Sequence, residues 1–161
     1  MKESLSQYIE DYTSQLESKN IPKGYKGLME YLMSLRTLFL TEYQTEFKVG
    51  AFYQGYMDLS YFPITPKSLK SQKLKIGLVF NHEKIRIELW LLGQNKDVQK
   101  KYWNLFNGSD WNKYPLSKNA KESIIEHVLV EKPNFNQLDL LTEKVKSGTL
   151  KFIKDISDVL E

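Results

Sequence analysis

The chain has 161 residues, of which 41% are hydrophobic and 13% aromatic, and its net charge at neutral pH is +3. This composition excludes disorder as a description of the whole chain. There is no cysteine, which excludes disulfides, thiol catalysis and cysteine-ligated metal sites. The mild positive charge permits an anionic partner but does not argue for one.

The first residues lack the apolar core of a signal peptide, and no apolar run reaches the length of about 18 residues that a membrane-spanning helix needs. We therefore expect a cytoplasmic protein with no membrane partner. The length favours a single domain over residues 1–161.

The sequence begins with two predicted helices. Ser4 and Gln7 have the spacing of a capping box, which marks a helix start. Apolar residues then recur at helical intervals, and Asn20 is the predicted end of this helix. A longer helix is predicted from about 23 to 46, because leucines and aromatics form a broad apolar stripe along it.

A strand is predicted from Phe47 to Phe62, because apolar and polar residues alternate there. Gly50 and Gly55 suggest a bulge or bend that lets this long strand curve. Pro63 and Pro66 are predicted to end it, since proline cannot donate to a ladder of backbone hydrogen bonds.

The segment KLKIGLVFNHEKIRIELWLL, residues 73–92, predicts a β-hairpin with its turn within 81–84. One face of this hairpin is wholly apolar and should belong to the core. Its predicted cross-strand pairs are Phe80 with Ile85, Leu78 with Ile87, Ile76 with Leu89, and Leu74 with Leu91. The opposite face is predicted to pair Val79 with Arg86, Gly77 with Glu88, and Lys75 with Trp90.

Three further elements complete the prediction: a helix over 97–107, a strand over 123–130 and a last helix from about Asn134. Gly148, inside that last helix, marks either a kink or a close contact with another helix. The order is helix, helix, strand, strand, strand, helix, strand, helix. It predicts an α+β fold with an antiparallel sheet of about four strands packed against about four helices.

The segments FYQGYMDLSYFPITPKSL, LKIGLVFNHEKIRIELWLLGQNKDVQKKYW and LDLLTEKVKSGTLKFIKDI resemble a small bacterial family of unknown function. This resemblance covers most of the chain. The shorter segment IRIELWLLGQNKDVQKKYWNLF is similar to a domain of unknown function appended to some restriction-endonuclease-like proteins. Both share a strand rich in Arg, Glu and aliphatic residues, followed by a helix with a late aromatic. The two resemblances imply an α+β fold and assign no catalytic residue.

The usual catalytic signatures for phosphate loops, dinucleotide folds and nucleophile elbows are missing from the sequence. Asp58 and Glu88 could serve as the acids of a restriction-type nuclease, but Trp90 stands where that motif needs a lysine. His82 and His127 lie far apart without the spacing of a metal-binding pair. We therefore expect no metal and no cofactor, and the sequence favours a non-enzymatic role while leaving catalysis open.

The polar side of the predicted sheet carries the candidate binding site. If the first strand pairs with the hairpin, alternation should place Gln54, Tyr56, Asp58 and Phe62 beside Lys75, Arg86, Glu88 and Trp90. Arg86 would grip a carboxylate or phosphate, and the two aromatic rings would stack on the ligand. The predicted ligand-binding residues are Tyr56, Asp58, Arg86, Glu88 and Trp90.

Two alternatives compete with this groove. The polar face could be an ordinary solvent face, with Arg86 paired to Glu88 or Asp58 across strands, or a helix could cover Trp90. A second candidate site is a loop whose four lysines have no acid among them. These residues either contact phosphate or nucleic acid or form a solvated sheet edge that discourages aggregation; they are Lys67, Lys70, Lys73 and Lys75.

The sequence thus favours a cytoplasmic binding or interaction module that takes a small polar or anionic ligand or a protein partner. Nucleic acid is a further partner to test, through the lysine loop. The alternative is an enzyme, or a nucleic-acid-processing accessory protein, that uses the carboxylates of the sheet.

Overall fold

The computed structural model describes residues 2–161 and confirms the α+β class. Five helices form over these residues: α1 (Leu5–Leu16), α2 (Asn20–Glu42), α3 (Lys67–Lys70), α4 (Lys96–Asn107) and α5 (Leu138–Leu160). The five strands are β1 (Phe47–Val49), β2 (Leu59–Pro66), β3 (Leu74–Asn81), β4 (Arg86–Gly93) and β5 (Ile125–Glu131). The prediction of about four strands and four helices was therefore one short in each.

The chain divides into two compact units, one ending at Leu35 and the other spanning Arg36–Glu161. The boundary falls inside α2. The single domain expected over residues 1–161 remains a prediction.

In the first unit, α1 begins with the predicted capping box. The Gln7 backbone N–H donates to Ser4 Oγ at 3.3 Å, and the Ser4 N–H donates to Gln7 Oε1 at 3.2 Å. None of the residues of α1 is buried, and Leu5 is 74% exposed. Helical spacing thus predicted the helix correctly, but the apolar stripe of this helix is not buried.

Asn20 is the first residue of α2 and not the end of the first helix. The preceding Lys19 has a φ of 60°, in the left-handed region, which separates the two helices. Pro22 lies in the first turn of α2, where a helix does not need its missing N–H.

The second unit contains one open sheet, in which the strands follow the order β1-β2-β3-β4-β5 and every neighbouring pair is antiparallel. Short segments join β1 to β2, β2 to β3 and β3 to β4, whereas residues 94–124, which contain α4, join β4 to β5. The antiparallel sheet is therefore confirmed.

The hairpin pairs β3 with β4, but in a register two residues away from the predicted one. Phe80 lies opposite Ile87, Leu78 opposite Leu89, Ile76 opposite Leu91 and Leu74 opposite Gly93. A shift by an even number keeps each side chain on its face, so all the predicted core residues but one are buried. The exception is Ile85, which lies in the turn with a φ of 51° and is 47% exposed.

The outward pairs shift in the same way. Val79 lies opposite Glu88, Gly77 opposite Trp90, Lys75 opposite Leu92 and Asn81 opposite Arg86. The predicted pairs of Val79 with Arg86, Gly77 with Glu88, and Lys75 with Trp90 were therefore wrong. Residues 82–85 form the turn, and this four-residue length sets the register.

The predicted long strand over residues 47–62 is wrong, because the segment folds back on itself. Only 47–49 and 59 onward are strand, and β1 pairs with β2. Gly55 and Met57 have φ angles of 77° and 64°, which break the extended backbone between them. The break also reverses the alternation, so that Phe62 lies opposite Leu78 on the core side and is fully buried.

Pro66 ends β2 as predicted, but Pro63 lies within that strand, opposite Gly77 of β3. The other predicted elements match closely. The helix expected over 97–107 runs from Lys96 to Asn107, and the strand expected over 123–130 runs from Ile125 to Glu131. The last helix starts at Leu138, four residues after the predicted Asn134.

One side of the sheet, here called the inner face, carries the core. It bears Phe62, Ile64, Leu74, Ile76, Leu78, Phe80, Ile87, Leu89 and Leu91, each at most 1% exposed. The C-terminal part of α2 reaches this face, since the Phe39 ring lies 6.3 Å from that of Phe62. Helix α5 also packs there, because its Phe152 ring stacks 5.8 Å from His127 of β5.

Gly148 of α5 was predicted to mark either a kink or a close contact with another helix. It makes a close contact, but its neighbour is a strand and not a helix. A Cβ built on Gly148 would lie 2.1 Å from Leu129 Cδ1. Leu129 is the extra residue of a β-bulge in β5, where Ile87 pairs with Val130 and Glu88 with Val128.

Among the helices within residues 2–161, none has the length and apolar character needed to cross a bilayer.

Candidate functional site on the outer sheet face

The opposite side of strands β2–β4 is here called the outer face. Alternation assigns to it Tyr61, Pro63, Lys75, Gly77, Val79, Asn81, Arg86, Glu88, Trp90 and Leu92. Gly77, Val79 and Glu88 are buried at its centre, whereas the remaining residues are half-buried. The outer face therefore presents aromatic and aliphatic surface around a buried carboxylate.

Glu88 is the organising residue of this face, with only 2% of its side chain exposed. Its Oε2 accepts hydrogen bonds from Arg86 Nε and from Asn81 Nδ2, each 2.9 Å long. Its Oε1 accepts a third bond, also 2.9 Å long, from the indole Nε1 of Trp90. One carboxylate thus fixes the orientation of three neighbouring side chains.

The physical reason for this arrangement is the cost of burying a charge. A carboxylate removed from water is tolerated only when it is paired and hydrogen-bonded. Arg86 supplies the opposite charge, and Asn81 and Trp90 supply the other donors. The cluster of Asn81, Arg86, Glu88 and Trp90, here called the Glu88 cluster, is therefore joined by hydrogen bonds within the protein itself.

Arg86 keeps part of its guanidinium accessible, with 25% of its side chain exposed. Its Nε is engaged by Glu88, while its Nη1 lies 4.0 Å from Glu131 Oε1, beyond hydrogen-bond distance. Glu131 is 75% exposed, so this second ion pair is weak. The terminal nitrogens of Arg86 can therefore still donate to a bound group.

Trp90 lies beside two residues that present little side chain. Gly77 is its partner on β3, and Pro63 is the partner of Gly77 on β2. A Cβ added to Gly77 would meet Leu92 Cδ1 at 3.2 Å and the Cβ of Trp90 at 3.9 Å. Glycine at this position therefore lets the Leu92 side chain pack closely over the backbone of β3, next to Trp90.

The other two predicted ligand-binding residues belong to a separate hydrogen-bonded group. Tyr56, in the loop over residues 50–58, is 87% exposed. Asp58 Oδ1 accepts from the backbone N–H of Tyr56 at 2.9 Å. Backbone N–H groups of Tyr56 and Leu59 hold the pKa of Asp58 below its ordinary value. The structure therefore joins Arg86, Glu88 and Trp90 by hydrogen bonds and places Tyr56 and Asp58 in the loop.

A buried serine–histidine contact next to this loop was not predicted from the sequence. Ser60 Oγ donates to the Gln54 carbonyl and lies 2.7 Å from His82 Nε2. With the serine proton directed to the carbonyl, the tautomer of His82 that fits this contact carries its proton on Nε2 and donates to Ser60 Oγ. Burial lowers the pKa of His82, while the charge of Asp58 opposes that shift. The contact anchors the loop over residues 50–58.

A second polar cluster, also missed, surrounds Asp155 of α5. Tyr114 Oη donates to Asp155 Oδ2 at 2.6 Å, and Lys113 and Lys151 approach the same carboxylate at 3.0 and 2.8 Å. These donors hold the pKa of Asp155 far below its usual range. Burial, followed by the Asp155 contact, raises the pKa of Tyr114 to about 12. The Tyr114 ring packs 4.6 Å from that of His127, so the cluster joins the segment between α4 and β5 to the core.

The four lysines of the predicted phosphate loop lie on different elements. Lys67 and Lys70 are exposed on α3, Lys73 follows in a turn with a φ of 59°, and Lys75 lies half-buried on the outer face. Contact of these lysines with phosphate remains a prediction. In the part of the chain from residue 2 to 161, no three His, Asp or Glu side chains are grouped to hold a metal ion.

These features define an α+β protein with an open antiparallel meander and a preformed aromatic and ionic cluster on its outer sheet face. Residues 5–160 match the family described as Domain of unknown function (DUF7000), and the chain belongs to that family. No curated protein and no solved structure matches the chain. The resemblance to an uncharacterised family is thus confirmed, while its bacterial origin and the likeness to a restriction-associated domain remain predictions.

Proposed function

We propose that this protein is an interaction module that binds a segment of another polypeptide on its outer face. The observation that carries the proposal is the Glu88 cluster, in which a buried carboxylate holds Arg86 and Trp90 in place on a half-buried surface. Residues held in advance lose little conformational entropy on binding, which favours affinity.

The residue types on the outer face suit a protein partner. Tryptophan, tyrosine and arginine carry much of the binding energy at protein interfaces, especially where neighbouring apolar residues exclude water. Here Trp90 and Tyr61 would be the anchors, Leu92 their apolar neighbour, and Arg86 the polar contact. Arg86 would donate its terminal nitrogens to a backbone carbonyl or carboxylate of the partner.

A small free anion fits this face less well. The charge of Arg86 is offset by Glu88 at 2.9 Å, which weakens its attraction for an isolated phosphate or carboxylate. A polypeptide does not depend on that charge alone, because most of its contact would be with apolar surface. The small-ligand alternative is therefore the weaker of the two binding proposals.

The enzymatic alternative would use Asp58 and Glu88. Both oxygens of Glu88 already accept hydrogen bonds, and Asp58 accepts backbone N–H groups. Either carboxylate would have to give up these bonds to act as a base or to bind a metal ion. No feature of the sheet favours this second function.

Site-specific photo-crosslinking in cells that express the gene tests the proposal. A photoreactive residue at Leu92 samples the outer face, and one at Leu140, 65% exposed on α5, is the matched control. We expect a discrete protein adduct from position 92 that is absent from position 140. The adduct should also disappear when Trp90→Lys is added to the position-92 variant, because a charge replaces the anchoring indole.

Equal labelling at the two positions, or an adduct that survives Trp90→Lys, would refute an interaction site on the outer face. Circular dichroism of each variant shows whether it is folded. If Trp90→Lys fails to fold, Tyr61→Lys provides a second disruption of the same face that leaves the Glu88 cluster intact.

A further inference from the structure

A cleft lies between α4 and the loop over residues 117–123, apart from the Glu88 cluster. Its volume is about 520 Å³, within the range of small-molecule sites. The side chains that line it are Lys96, Lys100, Trp103 and Asn104 from the helix and Asn119 and Lys121 from the loop.

The helical wall of the cleft follows from the spacing of its residues. Positions 96, 100, 103 and 104 recur at intervals of three and four, which places them on one side of α4. Two of the three buried residues of the same helix, Tyr102 and Phe106, belong to the core and do not line the cleft. Trp103, which lies outside this buried stripe, is half-buried and faces the cleft.

The loop wall is fastened to the helix by two side chains of α4. Gln99 is buried, and its Nε2 donates to the Ala120 carbonyl at 2.9 Å while its Oε1 accepts from the Gly93 N–H at 3.1 Å. One turn later, Trp103 Nε1 donates to the Ser117 carbonyl at 3.0 Å. These bonds set the distance between the two walls.

The loop is also held from within. The Ser117 hydroxyl lies 2.7 Å from the carbonyls of Asn119 and Ser123, and the Lys121 N–H donates to Asn119 Oδ1 at 2.9 Å. The Ser117 N–H donates to the Ile124 carbonyl at 2.9 Å, which ties the loop to the start of β5. Hydrogen bonds therefore hold both walls of the cleft, the helix α4 and the loop over residues 117–123, in place.

The chemistry of the lining points to one ligand class. Three lysines line the cleft with no acidic side chain among the lining residues, and an indole and two amides lie with them. Ammonium groups bind phosphate, an indole stacks on a flat ring, and amides pair with the polar edge of a base. We propose that this cleft binds a nucleotide, with its base on Trp103 and its phosphate held by Lys96, Lys100 and Lys121.

Isothermal titration of the full chain with adenosine and guanosine monophosphates tests the proposal, with adenosine and inorganic phosphate as partial probes. We expect saturable binding of at least one nucleotide, and weaker binding of each partial probe. The double variant Lys96→Gln/Lys100→Gln should lower the affinity by roughly tenfold or more at low salt and reduce its salt dependence. Trp103→Leu should weaken binding of the nucleotide more than binding of inorganic phosphate.

The matched control is Lys67→Gln/Lys70→Gln, which removes the same charge from α3 and should leave nucleotide affinity unchanged. If that control lowers affinity as much as the α4 double variant, the effect is one of net charge or of the lysine loop and the cleft proposal fails. It also fails if neither nucleotide binds at millimolar concentration, or if only a single-stranded oligonucleotide binds. None of these outcomes bears on polypeptide binding at the outer face, so the two proposals stand or fall separately.

Discussion

Arg36 Nε donates a 2.7 Å hydrogen bond to the carbonyl oxygen of Gly50. Gly50 is the neighbour of Pro63 across β1 and β2, and its own N–H donates to the Pro63 carbonyl at 2.8 Å. In an antiparallel pair of this kind, the residue at position 63 would return a hydrogen bond to Gly50, but proline has no N–H. The guanidinium of Arg36 therefore replaces the backbone donor that Pro63 lacks.

This replacement predicts coupling between positions 36 and 63. Arg36→Ala should destabilise the protein by about 1–3 kcal/mol, because it leaves the Gly50 carbonyl without its charged donor. In a Pro63→Ala background the same change should cost less, since alanine supplies the missing N–H. Chemical denaturation of the two single variants and the double variant measures the coupling energy. Strictly additive effects would show that Arg36 does not replace a donor absent from position 63.

The observed hairpin register predicts a contrast between two isoleucines. Ile87 is fully buried, so Ile87→Ala should cost about 2–5 kcal/mol of unfolding free energy. Ile85 lies in the turn with a positive φ and is largely exposed, so Ile85→Ala should change stability by no more than about 0.5 kcal/mol. Urea unfolding of the two variants measures both values, and a comparable loss at position 85 would contradict the register.

The Glu88 cluster predicts that Arg86 stabilises the fold as well as its proposed binding surface. Arg86→Ala leaves a buried carboxylate without its countercharge and should cost about 3 kcal/mol or more. Glu83→Ala, in the exposed turn, is the control and should be nearly neutral. Thermal and urea unfolding compare the variants, and an unchanged melting temperature for Arg86→Ala would show that the buried carboxylate does not need this partner.

The two histidines predict a loss of stability in mild acid. Burial lowers the pKa of both His82 and His127 in the folded state, so the unfolded chain takes up protons first as the pH falls. The melting temperature should therefore decrease as the pH falls through the ordinary histidine pKa of about 6.5, and the decrease should end below the folded-state pKa values.

The variant His82→Gln/His127→Gln should show a shallower decrease between about pH 7.5 and pH 5. Scanning calorimetry across this interval measures both profiles. The interval avoids the more acidic range in which the lowered pKa of Asp155 becomes important. Parallel profiles for the wild-type chain and the double variant would contradict the assignment to these side chains.

Much of the fold could be predicted because the apolar pattern is unambiguous where the chain is regular. The two faces of the hairpin were predicted correctly despite a two-residue error in register, since an even shift leaves Leu78 and Ile87 in the core. The predicted strand over 47–62 was wrong because a regular alternation of apolar and polar residues gives no sign of a chain reversal, and only Gly55 suggested one. The prediction that Pro63 ends the strand was wrong for a different reason. The arginine that replaces its missing N–H, Arg36, lies 27 positions earlier in the sequence.

The candidate site shows the same limit. Arg86, Glu88 and Trp90 alternate along one strand, so the sequence placed them on one face. Tyr56 and Asp58 were assigned to that face by extending an alternation that the loop breaks. Asn81 was missed because its contact with Glu88 depends on the hairpin register, which the sequence did not determine. The links from Gln99 and Trp103 to the 117–123 loop are long-range contacts with no local signal.

Nuclear magnetic resonance provides the most direct test of polypeptide binding at the outer face. The isotope-labelled chain would be titrated with the polypeptide captured by crosslinking at Leu92, while the backbone amide signals and the tryptophan indole signals are followed. We predict that the largest shifts occur at Tyr61, Leu92 and the indole of Trp90, and that the exposed side of α5 around Leu140 is unaffected. Shifts confined to α5 or to other surfaces, with the Trp90 indole signal unchanged at saturation, would contradict the assignment of the outer face as the binding surface.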